Sequence, residues 1–210
     1  MWSVPLRVGM VASLAALSVL AEGRSKDREV AGSQHIVVAV FNRAGAPAET
    51  VLRAETMAAK IYEPGGLVIH WKNCSIEDQP NLERCGAANN PGELVLNIEH
   101  QGQTGSADAY GMAFLGQDGR GKFCDVFYDR ILELHHGGRA SEETILGIVA
   151  AHELGHLLLG LGSHSDTGIM RPQIQSQNFL APEFGFQITP QQLQKIRERQ
   201  KQISILNESR

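Results

Sequence analysis

The sequence predicts an α+β domain with an α/β-like N-terminal half: a mixed twisted sheet of about five strands, a buried helix and a C-terminal helix. Three observations carry this expectation. A β-branched run, an amphipathic helical pattern and a second β-branched run follow one another near the start. Further on, two short apolar runs flank an Asp-Gly turn. Residues 141–159 then form a helical segment that is apolar on nearly every face, the mark of a buried helix.

Taken in order, residues 35–41 (HIVVAVF) read as a buried strand. Residues 42–47 form a loop with Gly45 and Pro47. Residues 48–62 place Val51, Leu52, Ala54, Met57, Ala58 and Ile61 at helical spacing, and Pro64, Gly65 and Gly66 stop that helix. Residues 67–71 (LVIHW) are the second strand, so strand, helix and strand predict a right-handed crossover and a parallel pair. Residues 94–98 (LVLNI) are a third strand after a long polar loop. Residues 110–115 and 122–128 are two more, joined by a turn at Asp118-Gly119. Ser141 is placed to cap the buried helix, Glu142 and Glu143 suit the positive end of its dipole, and Gly160 and Gly162 end it. Thr189-Pro190 opens a last polar helix over residues 191–203.

Bulk properties bound the function. The chain has 210 residues, 42% hydrophobic and 20% charged, with a formal net charge of -4. This is a globular composition with no electrostatic reason to expect nucleic acid or an anionic membrane as partner. Residues 1–21 carry one basic residue, Arg7, then an apolar run and a small-residue exit, the pattern of a signal peptide. The run is shorter than the ~20 residues a transmembrane helix needs. The expected organisation is a signal peptide (1–21), a flexible lead-in (22–33) and one domain (34–210), secreted or periplasmic, with no stable membrane insertion after cleavage. In such a compartment Cys74 and Cys85 are able to close a small loop. Cys124 then reads as a buried, inert thiol.

The chemistry concentrates in His152-Glu153-Leu154-Gly155-His156, inside the buried helix. Positions i and i+4 share a helical face, so two imidazoles there can grip one zinc ion. Glu153 lies beside the pair, placed to take a proton from a zinc-activated water as it attacks a carbonyl. Two histidines and a glutamate on a dry helix are costly without a partner, and coordination supplies one. A third ligand is needed. His164 is the first histidine after the glycine turn, and Asp166 and Glu183 are the other candidates.

His152-Glu153-Leu154-Gly155-His156, a glycine turn, His164-Ser165 and then Gly168-Ile169-Met170 together resemble the zinc-binding stretch of metzincin metallopeptidases. The spacer between the second and third histidines is longer than the family's, seven residues (157–163). The resemblance implies a zincin-like fold, Zn²⁺ held by His152, His156 and His164, Glu153 as the catalytic base, and a methionine turn at Met170. It implies a peptide or protein substrate laid along residues 110–115 as one wall of the cleft. Two alternatives stay open: a zinc-dependent amidase on a non-peptide substrate, and a zinc-stabilised binding domain without turnover.

Other signals are discounted. Residues 116–122 (GQDGRGK) match most of a phosphate-binding loop, but Phe123 stands where Ser or Thr holds Mg²⁺ and a strand follows. His135 and His136 are expected in a solvated loop. His35, His70 and His100 have no partner at ligand spacing.

Overall fold

A computed structural model describes residues 34–74, 85, 92–100, 109–138, 140–172 and 185–208, with side chains to 202. The expected signal peptide and lead-in lie outside the described residues, as do Glu183 and residues 101–108.

β1 (Gln34–Asn42) leads through α1 (Ala48–Tyr62) and a short 3-10 turn (Glu63–Gly65) into β2 (Leu67–Cys74). β1 and β2 pair in parallel, Ile36 opposite Ile69, as the crossover predicts. β3 (Leu94–Glu99) pairs in parallel with the other side of β1. β4 (Gly111–Phe114) and β5 (Phe123–Phe127) form the antiparallel hairpin, and β5 joins β3 in parallel. The resulting mixed five-stranded sheet has the order β2-β1-β3-β5-β4, so β4 is an edge among the described residues.

Strand alternation decides where the core sits. Ile36, Val38, Val40, Leu96, Ile98, Cys124 and Val126 are buried in one core that they share with α1 and with α3 (Glu142–Leu159). α3 buries residues on every side, from Ile145 to Leu159, which accounts for its lack of a polar face. On the opposite side of the sheet, Ala39, Cys74 and Val95 form a smaller buried cluster with Phe41 and Cys85 against it. Cys74 and Cys85 are joined by a disulfide across a separation of 11 residues. A loop of that size stabilises by about 2–4 kcal/mol, chiefly by restricting the unfolded chain.

The ends of α3 are set locally. Ser141 is its N-cap, but the hydroxyl pairs with Thr144 Oγ1 at 2.9 Å instead of with a backbone N–H. Gly160, at φ +79°, stops the helix in a conformation that side chains rarely adopt. Arg199, from the C-terminal helix α4 (Pro190–Glu208), donates through Nε to the Leu158 carbonyl at 3.1 Å. Its Nη2 reaches the Gly119 carbonyl at 2.9 Å, so one side chain ties α4 to both α3 and the β4–β5 turn.

Two expectations need correction. The fifth strand stops at Phe127, and Tyr128–His136 form a helix, α2, that carries His135 and His136 in its last turn, not in a loop. Tyr128 and Ile131 are buried and anchor it. His35 and His70 do have a partner, each other: parallel pairing of β1 with β2 brings His35 Nδ1 within 2.6 Å of His70 Nε2 on an exposed part of the sheet. Among the described residues no helix is long and apolar enough to cross a membrane.

Candidate metal centre

α3 presents His152, Glu153 and His156 on consecutive turns of a rigid, buried scaffold. His152 is 8% exposed and Glu153 6% exposed. His152 Nδ1 donates to the Ile169 carbonyl at 2.7 Å, which leaves the Nε2 lone pair available. His156 Nδ1 pairs with Ser163 Oγ at 2.6 Å, and with the hydroxyl as acceptor its Nε2 carries a lone pair as well. The two Nε2 atoms then lie 3.1 Å apart. Two lone pairs aimed at one point repel unless a proton or a metal cation sits between them. Tetrahedral zinc with bonds of ~2.0–2.1 Å asks for a separation of roughly 3.3–3.4 Å, so the pair fits that ion with little adjustment.

His164 completes the set. Its ring centroid lies 5.6 Å from that of His152 and 4.8 Å from that of His156. The ligand atoms of all three histidines lie within 4.8 Å of one another, the one such metal-capable group among the described residues. Asp166 is not part of it. The long spacer is accommodated because Gly160 and Gly162 both take positive φ, at +79° and +64°, folding the chain back toward the helix. Three imidazoles are a catalytic ligand count, leaving a fourth position for water or substrate.

Burial tunes the site. Desolvation, with His152 and His164 nearby, pushes His156 down to about 4. Desolvation also lowers His152. Both rings are therefore neutral, the form that binds a metal, at ordinary pH. Desolvation, reinforced by the Asp125 carboxylate, raises Glu153 to about 8. With no cation at the histidines the group holds its proton near neutral pH, and a divalent ion there would favour the ionised form that a base needs. Cys124 is fully buried and its thiol is raised well above the ordinary range, again by desolvation, so it stands as the inert core residue expected.

Two glycines let other elements close on the helix. A Cβ at Gly155 would lie 2.2 Å from Met170 Sδ, so the fully buried methionine packs where a side chain would otherwise stand. The Met170 carbonyl accepts from the Ser165 N–H at 2.8 Å, and the neighbouring Ile169 carbonyl holds His152. Gly111 of β4 has the same role opposite Glu153, whose Cγ would be 2.7 Å from an added Cβ. Edge strand β4 thus forms one wall of a cavity of about 590 Å³, whose floor is Glu153 and the three histidines.

No protein-family model and no curated protein sequence matches the chain. Among solved structures it is similar to a zinc-dependent peptidase from Methanocorpusculum labreanum, at 14% identity and TM-score 0.50, over 76% of this chain and 99% of that one. The fold is zincin-like. An archaemetzincin from Methanopyrus kandleri matches at 17% identity and TM-score 0.48, over 80% of this chain and 96% of its own. Metalloproteinase-II from Bacteroides fragilis matches at 11% and 0.47, over 78% of this chain and 52% of its own. At 14% identity the likeness to the Methanocorpusculum labreanum structure concerns the fold alone.

Within that fold, His152, Glu153, His156 and His164 come together as the sequence anticipates, and Glu183 lies outside the described residues. Sequence reasoning missed the groups that orient the ligands, Ser163 and the Ile169 carbonyl, and the entry of Arg171 into the cavity wall. A serine directly before His164 is a weak signal, and a backbone carbonyl leaves none.

Proposed function

We propose that the chain is a zinc-dependent peptidase, with His152, His156 and His164 holding the ion and Glu153 serving as general base. The observation that carries this reading is the cluster of three histidine ligand atoms within 4.8 Å of one another, with the Nδ1 atoms of His152 and His156 hydrogen-bonded, beside the buried Glu153. When bound there, zinc supplies a Lewis acid that lowers the pKa of water toward ~7 and polarises a carbonyl. Glu153 takes the proton released by the attacking water on a carboxylate oxygen and delivers it to the leaving amine. Gly111 lets β4 lie against Glu153, so an extended peptide paired to this edge would pass directly over the base. Residues 34–210 form the catalytic domain in this reading. Export to the periplasm or the cell exterior is part of the proposal, supported by the apolar leader in the sequence and by a disulfide that persists in oxidising compartments.

The test is digestion of a peptide library by the zinc-loaded protein and by Glu153→Gln. The expected result is cleavage by the first, and unchanged zinc content with a loss of at least ~100-fold in turnover by the second. Equal turnover by both proteins would remove Glu153 from the chemistry. Hydrolysis of amide substrates other than peptides, with the library left intact, would move the assignment to an amidase.

A further inference from the structure

The cavity over the histidines has one permanently cationic side chain among its described lining residues, Arg171. Apart from Glu153 and the three histidines of the floor, its described lining is apolar or neutral, from Met112, Ala113 and Leu115 on the sheet side to Val149 on α3. Among the described residues, Arg171 Nε is buried and has no hydrogen-bond partner. A buried donor left unpaired is costly, and in a cavity a bound ligand is one way to complete it.

The backbone that carries Arg171 is fixed to the metal centre. Met170 is fully buried against Gly155, its carbonyl takes the Ser165 N–H, and the Ile169 carbonyl takes the His152 Nδ1–H. Pro172 follows and restricts Arg171 to extended backbone. The guanidinium therefore starts from a root whose position relative to the zinc ligands is set by packing, the condition for a selective subsite. A planar guanidinium matches a carboxylate through two parallel N–H···O bonds, and in a low-dielectric cleft it disfavours cationic side chains.

We infer that Arg171 is a specificity-determining residue that recognises a carboxylate of the substrate beside the scissile bond. The substrate class is then acidic peptides, with the carboxylate supplied by an Asp or Glu side chain or by a free C-terminus. This inference rests on the peptidase reading above and adds the substrate preference to it.

The experiment compares kcat/KM across matched synthetic peptides. One set carries Asp or Glu near the cleaved bond with an amidated C-terminus, a second carries Asn or Gln at the same places, and a third differs only in a free or amidated C-terminus. The wild-type protein is expected to favour a carboxylate-bearing peptide by roughly ten- to a hundredfold. Side-chain preference identifies an acidic residue as the source, and C-terminal preference identifies an exopeptidase-like mode. Arg171→Ala should collapse the ratio of acidic to neutral peptide to near one, mostly through KM, and Arg171→Lys should restore part of it. Zinc content checks that each variant keeps its site. If Arg171→Ala does not fold, the wild-type ratio and the lysine variant still decide the matter.

Cleavage by the wild-type protein with no preference for a carboxylate overturns the inference and leaves the peptidase reading standing. A preference that survives unchanged in Arg171→Ala, with kcat falling equally on every peptide, also overturns it and makes Arg171 a stabiliser of the reaction's developing oxyanion. A wild-type protein that cleaves no peptide of any set removes both readings.

Discussion

Gly155→Ala is a one-carbon change that tests how the helix and the Met170 segment together build the zinc site. The added Cβ would stand 2.2 Å from Met170 Sδ and 3.3 Å from the Tyr62 hydroxyl, which itself donates to the Ala151 carbonyl at 2.5 Å. Carbon and sulfur need roughly 3.5–4.0 Å, so the sulfur must retreat by about 1.5 Å. The clashing atoms are the end of a flexible side chain, so Met170 must turn about its own bonds within a packed core. Overpacking of this kind costs about 1–3 kcal/mol. Alanine's helix propensity returns about 1 kcal/mol, so the net loss of stability is small, about 0–2 kcal/mol. The functional effect is larger. The prediction is that the core blocks that turn, so the displacement passes through the backbone to the adjacent Ile169 carbonyl that holds His152 Nδ1. Loss of such an orienting contact lowers metal affinity by roughly 10–100-fold. Urea denaturation of the metal-free protein measures the first quantity, and zinc competition with a chromophoric chelator measures the second. Zinc affinity within twofold of wild type, with a clear gain in stability, would refute the reasoning, because it would mean that Met170 does not brace the site.

Two further outcomes follow from the same structure. Ser163→Ala removes the partner of His156 Nδ1 and should weaken zinc binding by roughly tenfold while leaving the fold intact, as chelator competition and circular dichroism will show. Glu55, buried on α1 and raised to about 7 chiefly by desolvation, should make stability depend on pH. Its folded-state value lies above the unfolded one, so the contribution is complete below about 4.5 and is lost as pH rises through about 7. Glu55→Gln should therefore be the more stable protein at pH 8, by up to about 2 kcal/mol after allowing for screening, and should match wild type near pH 4.5 in thermal melts.

What the sequence could reveal followed from local physics. β1, α1, β2 and the β4–β5 hairpin are each set by periodicity and by their own stop signals, and α3 announces itself by lacking a polar face. Helix α2 was hidden because Phe127 passes straight into Tyr128 with no glycine, proline or capping side chain between strand and helix. Its nine residues span too few turns for a clear period. The candidate zinc ligands on α3 were legible because i, i+4 spacing maps directly onto a shared face. His164 was legible only through its place after a glycine turn. The contact of His35 with His70 depends on strand register across a crossover, and the Arg171 position depends on how the Met170 segment packs on Gly155. Neither is encoded in any single window of residues.

The most direct measurement is X-ray absorption at the zinc edge of the metal-loaded protein, read for the number and type of ligands. Three imidazole nitrogens and one oxygen at ~2.0–2.1 Å, with one nitrogen lost in His164→Ala, are the predicted result. Sulfur in the first coordination sphere, a fourth protein nitrogen, or a folded chain that takes up no zinc would contradict the account.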